Sequence, residues 1–574
     1  MDMLLLPGYK TLFGTPEVTY EELVKDIPSD IVIAVMIMLS NELDAPIPHR
    51  ENQQRLRDIV AHRYTNQQRQ HLTNAFVRFR KSVNGNYNNT VFAKPSLLAM
   101  ILKELNNYRD FKVEDTSYQH EYNILLAYFL VVDEVNDYQQ NLLQAQEAHM
   151  EEPFFDYRIL WTPNISQYEY NDFGDVGFEL FKLLCFSKYC LKNYRSYFKE
   201  YIISRGFKNV SQMLKGISDV IHATLYYNKE KVLSKLTYIQ PEKGVDDRYL
   251  KMQAINTAIG KPLLRSSFKI HPLFYDKRHG YMIIDAAFYK KKTYTGPFFE
   301  LLNQTNLKKH ISFNSYSREI SSNVLEKLCF TGIVKSIVRS EGDFVHFDDG
   351  SDDVPDGYYR NTHSILLLEF KGYLFPAELS DNPSFERIKK YIDERFIESE
   401  GGKAKGISQL VRQIDILLQS GFDFDEKYKT DRHRDLTVYP IICHNEFHFT
   451  MPGVNEYLNI RFQEKLKDKK IERITIKPLL VTNLAALFDL ISRKKGFNDL
   501  IHCIDRYYAI IEGNKKMFRK TLSPNDFLLS NSSFDEIYDS VFQKEFIKAT
   551  DEHRSITELA SQINLTLEEL EEEL

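Results

Sequence analysis

Asp356, Glu369 and Lys371 are the residues whose types and spacing could do chemistry, because they surround one apolar run. Ile365-Leu366-Leu367-Leu368, continued by Glu369-Phe370-Lys371, reads as a strand buried on both faces. Side chains alternate along a strand, so Glu369 and Lys371 project from the same face at its end. A carboxylate and an ammonium there cost several kcal/mol unless they are paired or hold a cation. Upstream, Val354-Pro355-Asp356-Gly357 ends in a turn. If Tyr358 to His363 form a hairpin connection, Asp356 returns beside Glu369, and two carboxylates and a lysine converge.

These residues need a sheet, and the neighbouring pattern supplies one. Ile320, Val324, Leu325 and Leu328 fall at helical spacing; Val334 to Val338 and Asp343 to Phe347 read as strands, followed by the Asp356 turn and the Ile365 strand. Ile407, Leu410, Val411, Ile414, Leu417 and Leu418 share one face of a further helix, and Leu436 to Cys443 is again strand-like. Ile474 to Val481 and Leu484 to Ser492 add a strand and a covering helix. The order helix, strand, strand, strand, helix, strand (αβββαβ) predicts an α/β sandwich over residues 316–510. The fold class is thus multidomain, α plus α/β, as 574 residues exceed what one core supports. Residues 1–235 read as helix after helix, broken by Pro28, Pro46, Pro48, Asn84-Gly85-Asn86, Pro95 and Pro163, a region for regulation, sensing or oligomerisation. Residues 236–315 read as a β-rich connector, with strands at Phe268 to Ile270 and Tyr281 to Phe288 about a turn at Arg278-His279-Gly280. Residues 511–574 form a helical, acidic tail.

Pro355-Asp356, the twelve residues 357–368, and then Glu369-Phe370-Lys371 on a strand within this succession resemble the PD-(D/E)xK nuclease superfamily. No other Glu-x-Lys occurs in the sequence, and the resemblance covers about a third of the chain. It implies a restriction-endonuclease-like sandwich and a metal-dependent endonuclease that hydrolyses phosphodiester bonds, with DNA favoured over RNA. It also implies Asp356, Glu369 and the backbone carbonyl of Phe370 as ligands of Mg²⁺, for which Mn²⁺ may substitute, with Lys371 orienting or deprotonating the attacking water. Hard oxygen donors suit that ion, which polarises the phosphoryl oxygen and stabilises the leaving group. Gln409, at the start of its helix, resembles a glutamine that many related nucleases place near the active centre. Lys403 and Lys405 precede the same helix N-terminus, a natural anion site. Glu319 is a candidate extra carboxylate, though it lies off its helix's apolar stripe. By analogy, a large helical half joined to such a module suggests a triggered nuclease of prokaryotic, anti-phage defence. The rival readings are an inactive nuclease fold serving as a nucleic-acid-binding or scaffold protein, and an RNase.

A net charge of -6 argues against coating nucleic acid by bulk positive charge, so any such binding uses a local patch. Lys290-Lys291-Lys292, between Tyr289 and Tyr294, reads either as a phosphate contact or as a solvated hairpin end. Gln53-Gln54-Arg55 and Gln67-Gln68-Arg69-Gln70 lie in polar, arginine-bearing helices and read either as a contact for a partner or nucleic acid or, the favoured reading, as a solvated helix face. Ser555 to Thr566 looks like half of a helix-turn-helix, but the glutamates after it would repel phosphates, which favours a packing or dimerisation helix. Five cysteines without a CxxC argue against a zinc site or disulfide framework and fit a reducing cytoplasm. His444-Asn445-Glu446-Phe447-His448 matches neither HExxH nor HxxEH, and Asp348, Asp349, Asp352 and Asp353 lack EF-hand spacing. Glu400-Gly401-Gly402-Lys403 lacks the further glycine and Ser/Thr of a phosphate loop. The longest apolar run, Ile31 to Leu39, is too short to span a bilayer, and Met1 to Pro7 lacks a basic segment; neither a membrane partner nor a signal peptide is expected.

Overall fold

Helical spacing governs the first part of the chain, and among the described residues every regular element from Tyr9 to Ser204 is a helix. The computed structural model describes residues 6–44, 47–82, 90–112, 118–147, 157–165, 168, 176–217, 238–239, 247–278, 280–337, 342–348, 353–431, 436–469, 471, 474–543 and 561. The helical region does not close on itself. Ser29–Glu42, Lys94–Asn106 and Tyr118–Glu147 bury Ile33, Met36, Ile101 and Tyr128 in one core, completed by Phe268, Phe274, Met282 and Phe288 of the connector. Val176–Asn193 and Arg195–Ser204 pack instead into the core of the sheet module.

The connector carries a three-stranded antiparallel sheet of β1 (Tyr238–Ile239), β2 (Leu273–Asp276) and β3 (Gly280–Ile283), in the order β1-β3-β2. Alternation makes it a shared wall: Met282 faces the N-terminal core, while Tyr281 and Ile283 face the core of the sheet module. Two expectations fail here. Phe268 to Ile270 is a helical turn, Ser267–Ile270. The strand from Tyr281 stops at Ile283 because the Asp285 carboxylate accepts the Ala287 and Phe288 N–H groups and caps the helix Ala286–Tyr294. Lys290, Lys291 and Lys292 are therefore helical and not a hairpin end.

The main sheet has six strands: β4 (Phe344–Phe347), β5 (Gly357–Arg360), β6 (Ser364–Lys371), β7 (Leu436–His444) and β8 (Ile474–Ile476) in that order, with β9 (Leu480–Asn483) also pairing β7. β4, β5 and β6 are successively antiparallel, whereas β6, β8 and β9 run parallel to β7. Leu366, Leu368, Phe370 and Tyr439 face helices that include Thr331–Ser336, Leu484–Ser492 and Phe497–Thr521. Ile365, Leu367, Val438 and Ile442 face Phe385–Phe396, Gly406–Gln419 and Val454–Leu466. The mixed sheet thus has a helical layer on each face.

The sequence misplaced one strand. Val334 to Ser336 continues a helix, with Ile333 and Val334 buried against the sheet, so packing overrides their β preference. The third antiparallel strand is instead Gly357–Arg360, within the stretch expected as a connection. Ile474 to Val481 divides into β8 and the start of β9. The expected boundary between 510 and 511 falls inside the helix Phe497–Thr521, and Ile511, Phe534, Tyr538 and Phe542 belong to the same core as β6. Apart from Ser561, the helix-turn-helix candidate lies outside the described residues. Among the described residues no helix is long and apolar enough to cross a membrane.

One buried ion pair ties β5 to the layer beside it. Arg360 Nε and Nη2 donate to Asp425 Oδ2 at 2.6 Å and Oδ1 at 3.0 Å. The Tyr358 hydroxyl donates to Oδ2 at 2.7 Å and the Tyr428 N–H to Oδ1 at 3.1 Å. Removing one partner strands a buried guanidinium. Asp425→Ala is expected to cost about 3–5 kcal/mol, read as a lower urea midpoint.

Candidate active site

A three-residue turn, Asn361-Thr362-His363, sets the geometry. The Asn361 side chain accepts the His363 and Ser364 N–H groups at 2.9 and 2.7 Å, and the Asn361 N–H donates to the Ser364 carbonyl at 3.0 Å. This closed turn places Gly357 opposite Leu368 in the β5–β6 ladder, and so brings Asp356 level with Glu369 and Phe370. The Phe370 N–H donates to Asp356 Oδ2 at 2.6 Å. Lys371 Nζ donates to Glu369 Oε2 at 2.8 Å and stands 3.8 Å from Asp356 Oδ2. Both carboxylates therefore lie within 4 Å of one ammonium.

The facing helix supplies a fourth group. Gln413 Nε2 donates to Glu369 Oε1 at 2.5 Å. The glutamine at the carboxylate is thus not Gln409, which is half-buried one turn nearer the helix start. Gly406 lets that helix begin close to the sheet: a Cβ there would stand 2.9 Å from the Phe396 carbonyl and 3.6 Å from Lys371 Cε. Lys403 is exposed and Lys405 half-buried at the same helix end.

The proposed extra carboxylate is also displaced. Glu319 accepts from the Tyr194 hydroxyl at 2.7 Å and from Tyr189, and so serves packing between helices. Glu326, from the π-helical segment Ile320–Phe330, lies instead in the electrostatic field of Asp356 and Lys371. A π-helical stretch re-registers a helix face, and nothing in the sequence marks this one. Asp348 acts on Asp356 through its charge, Asp353 pairs with Arg412 at 3.3 Å, and Asp349 and Asp352 lie outside the described residues.

Burial dominates the titration of this cluster. It pushes Glu369, which is 0 % exposed, up to about 7, with Lys371 pulling down and Asp356 pushing up. It raises Asp356 as well, against the Lys371 charge and the Phe370 N–H. Glu326 is pushed up to about 7 by burial and then by Asp356. Burial would lower Lys371, but Glu369 and Asp356 outweigh it and raise the ammonium. His444, opposite Lys371 in the ladder, is held down to about 3 by burial.

Among the described residues no group of three or more His, Cys, Asp or Glu side chains stands ready to hold a metal, and His448 Nδ1 is engaged with Glu446 Oε1 at 2.8 Å. All five cysteines are buried and none is in a disulfide. The Asp356–Glu369 pair still suits a hard divalent cation in donor chemistry: both are carboxylates, both are raised by burial, and both lie within 4 Å of one ammonium. A scan against protein-family models found no match, and searches of curated proteins and of solved structures found no significant relative.

A carboxyl raised on folding binds more protons in the native state, so its contribution to stability falls as pH climbs from the ordinary glutamate value towards about 7. In EDTA, the urea midpoint of the wild type is expected to drop across that window more steeply than that of Glu369→Gln. Parallel pH curves for the two proteins would contradict the assignment.

Proposed function

We propose that the chain is a Mg²⁺-dependent nuclease of the PD-(D/E)xK type, hydrolysing phosphodiester bonds, with DNA favoured over RNA. The observation that carries this reading is the convergence of Asp356, Glu369 and Lys371 at the paired ends of β5 and β6. The element order around it, helix, β4, β5, β6, helix and parallel β7, supports a restriction-endonuclease-like core.

Asp356, Glu369 and the Phe370 carbonyl would hold Mg²⁺ or Mn²⁺, which when bound supplies polarisation of the phosphoryl oxygen and neutralisation of the leaving oxygen. Lys371 offers an ammonium to the attacking water or a phosphate oxygen. Gln413 fixes the orientation of Glu369 through its 2.5 Å hydrogen bond. Glu326, whose carboxyl is raised by burial and then by Asp356, is a candidate further carboxylate in the field of this cluster. Gln409 stays a candidate for phosphate contact from the same helix. The N-terminal helical core, distinct from both cores of the sheet module, is assigned regulation, sensing or oligomerisation. A cytoplasmic nuclease of prokaryotic defence is the setting we favour, by analogy.

A second reading has its own observation. Lys371 and Gln413 between them engage both oxygens of Glu369, as they would in a closed structural ion pair. An inactive, nucleic-acid-binding scaffold would keep that pair permanently.

The test incubates the full chain with supercoiled plasmid, single-stranded DNA or RNA, in Mg²⁺ or Mn²⁺. Cleavage is expected to fall by roughly 10²-fold or more in Glu369→Ala and in Lys371→Ala. Undiminished cleavage in both variants would remove this site from the reaction, and no cleavage of any substrate would favour the scaffold. Preferential cleavage of RNA would make the enzyme an RNase.

A further inference from the structure

The helix Asn66–Ser82 has one face in the N-terminal core and one in water. Leu72, Ala75 and Phe79 are buried, and Phe76 packs beside them. Opposite this stripe, Asn66, Gln70, Thr73 and Val77 follow one another at helical spacing, all exposed, Val77 to 45 %. Arg69 lies to one side of that row and Gln67, Asn74 and Arg78 to the other, with Lys81 near its C-terminal end, and these too are exposed.

The charge of this face is one-sided. Among the described helices of ten or more residues, Asn66–Ser82 alone contains no Asp or Glu. A face that is merely solvated interleaves the two signs, so that each cation meets a carboxylate one turn away. Phe385–Phe396 does so: Lys389 pairs with Asp393 at 2.8 Å and Lys390 with Glu394 at 3.5 Å. Arg69, Arg78 and Lys81 have no carboxylate partner among the described residues; Arg69 donates to the backbone carbonyls of His62 and Tyr64, and Arg78 reaches the Leu12 carbonyl at 3.5 Å. The imbalance extends into the preceding helix, His49–Ala61. Residues 49–82 hold seven arginines and one lysine against Glu51 and Asp58, a net charge of +6 within a chain of net charge -6.

Such a surface is complementary to a polyanion, and its uncharged row narrows the class. Amides on a helix read base edges, a methyl-bearing side chain such as Val77 fits the thymine methyl, and cations on the flanks meet phosphates. Gln70 and Asn74 bond to each other at 2.9 Å, and each amide keeps further hydrogen-bonding capacity. Seventeen residues span about 25 Å, and the B-form major groove, about 12 Å wide, admits a helix, whereas that of duplex RNA is too narrow. An acidic protein would meet the cations and leave the amide row without a role.

We propose that the outer face of Asn66–Ser82 is a docking surface for duplex DNA. The N-terminal core then has a concrete task, to hold DNA on the chain by a face remote in sequence from the acidic cluster. The inference does not rest on the nuclease reading, because binding at this helix and cleavage at Glu369 are measured separately.

The test is fluorescence anisotropy of a labelled duplex DNA titrated with the full chain in EDTA, at salt concentrations from about 50 to 200 mM, with duplex RNA of the same sequence and polyglutamate as competitors. DNA is expected to bind more tightly than either competitor. Arg78→Glu combined with Lys81→Glu is expected to weaken DNA binding about tenfold or more, at an unchanged melting temperature, and to lower the salt slope by roughly two. Lys465→Glu combined with Lys467→Glu, the same charge change on exposed lysines of the sheet module, is expected to retain binding, as is Glu369→Ala. No binding of DNA at the lowest salt, equal or tighter binding of the RNA or of polyglutamate, undiminished binding in the Arg78 and Lys81 variant, or an equal loss in the Lys465 and Lys467 variant overturns the proposal.

Discussion

The carboxylate of Glu369 is taken wholly out of water in the central region of a six-stranded sheet, and the surrounding structure is arranged to hold it there. An isolated buried charge costs several kcal/mol, and a well-packed apolar residue in its place is often as stable or more so. Glu369 is held by an ammonium two residues along its own strand and by an amide from the helix across the face. Each contact imposes a further requirement. The ammonium must point with the carboxylate, which strand alternation ensures. The amide needs the Gly406–Gln419 helix close to the sheet, and Gly406 allows this by bringing no Cβ against the Phe396 carbonyl. Asp356 needs the tight Asn361 turn, without which its strand would not return at this level.

The acidic cluster lies towards β5 and the facing helix, and a cavity of about 620 Å³ lies past the ends of β6 and β7, between the sheet module and the connector. Parallel strands whose ends open on crossing chain segments are a common place for ligands in α/β folds. The small β1–β3 sheet, with one face in each of two cores, gives the connector a rigid place beside that opening.

Part of this was legible in the sequence. The Ile365–Phe370 run and the single Glu-x-Lys fixed β6 and its charged face, because few buried strands tolerate such residues. The stripe of Ile407, Leu410, Ile414 and Leu417 fixed the facing helix. That stripe also carries the signal for the site glutamine: Gln413 is a polar residue at buried spacing, three beyond Leu410 and four before Leu417, whereas Gln409 lies off the stripe. β5 was hidden because Tyr358, Tyr359 and Arg360 alternate poorly in polarity, and the arginine is buried only through Asp425, sixty-five residues away. Glu326 depends on a π register without local sequence cause, and the cavity depends on segments more than 250 residues apart, from Lys182 to His448.

The most direct measurement of the central claim is the position of Mn²⁺ in crystals of the full chain, located by anomalous diffraction. The account predicts a peak bounded by the Asp356 and Glu369 carboxylates and the Phe370 carbonyl, with the Lys371 ammonium moved off Glu369. Crystals saturated with Mn²⁺ that show no peak there, with Lys371 still paired to Glu369, would contradict it.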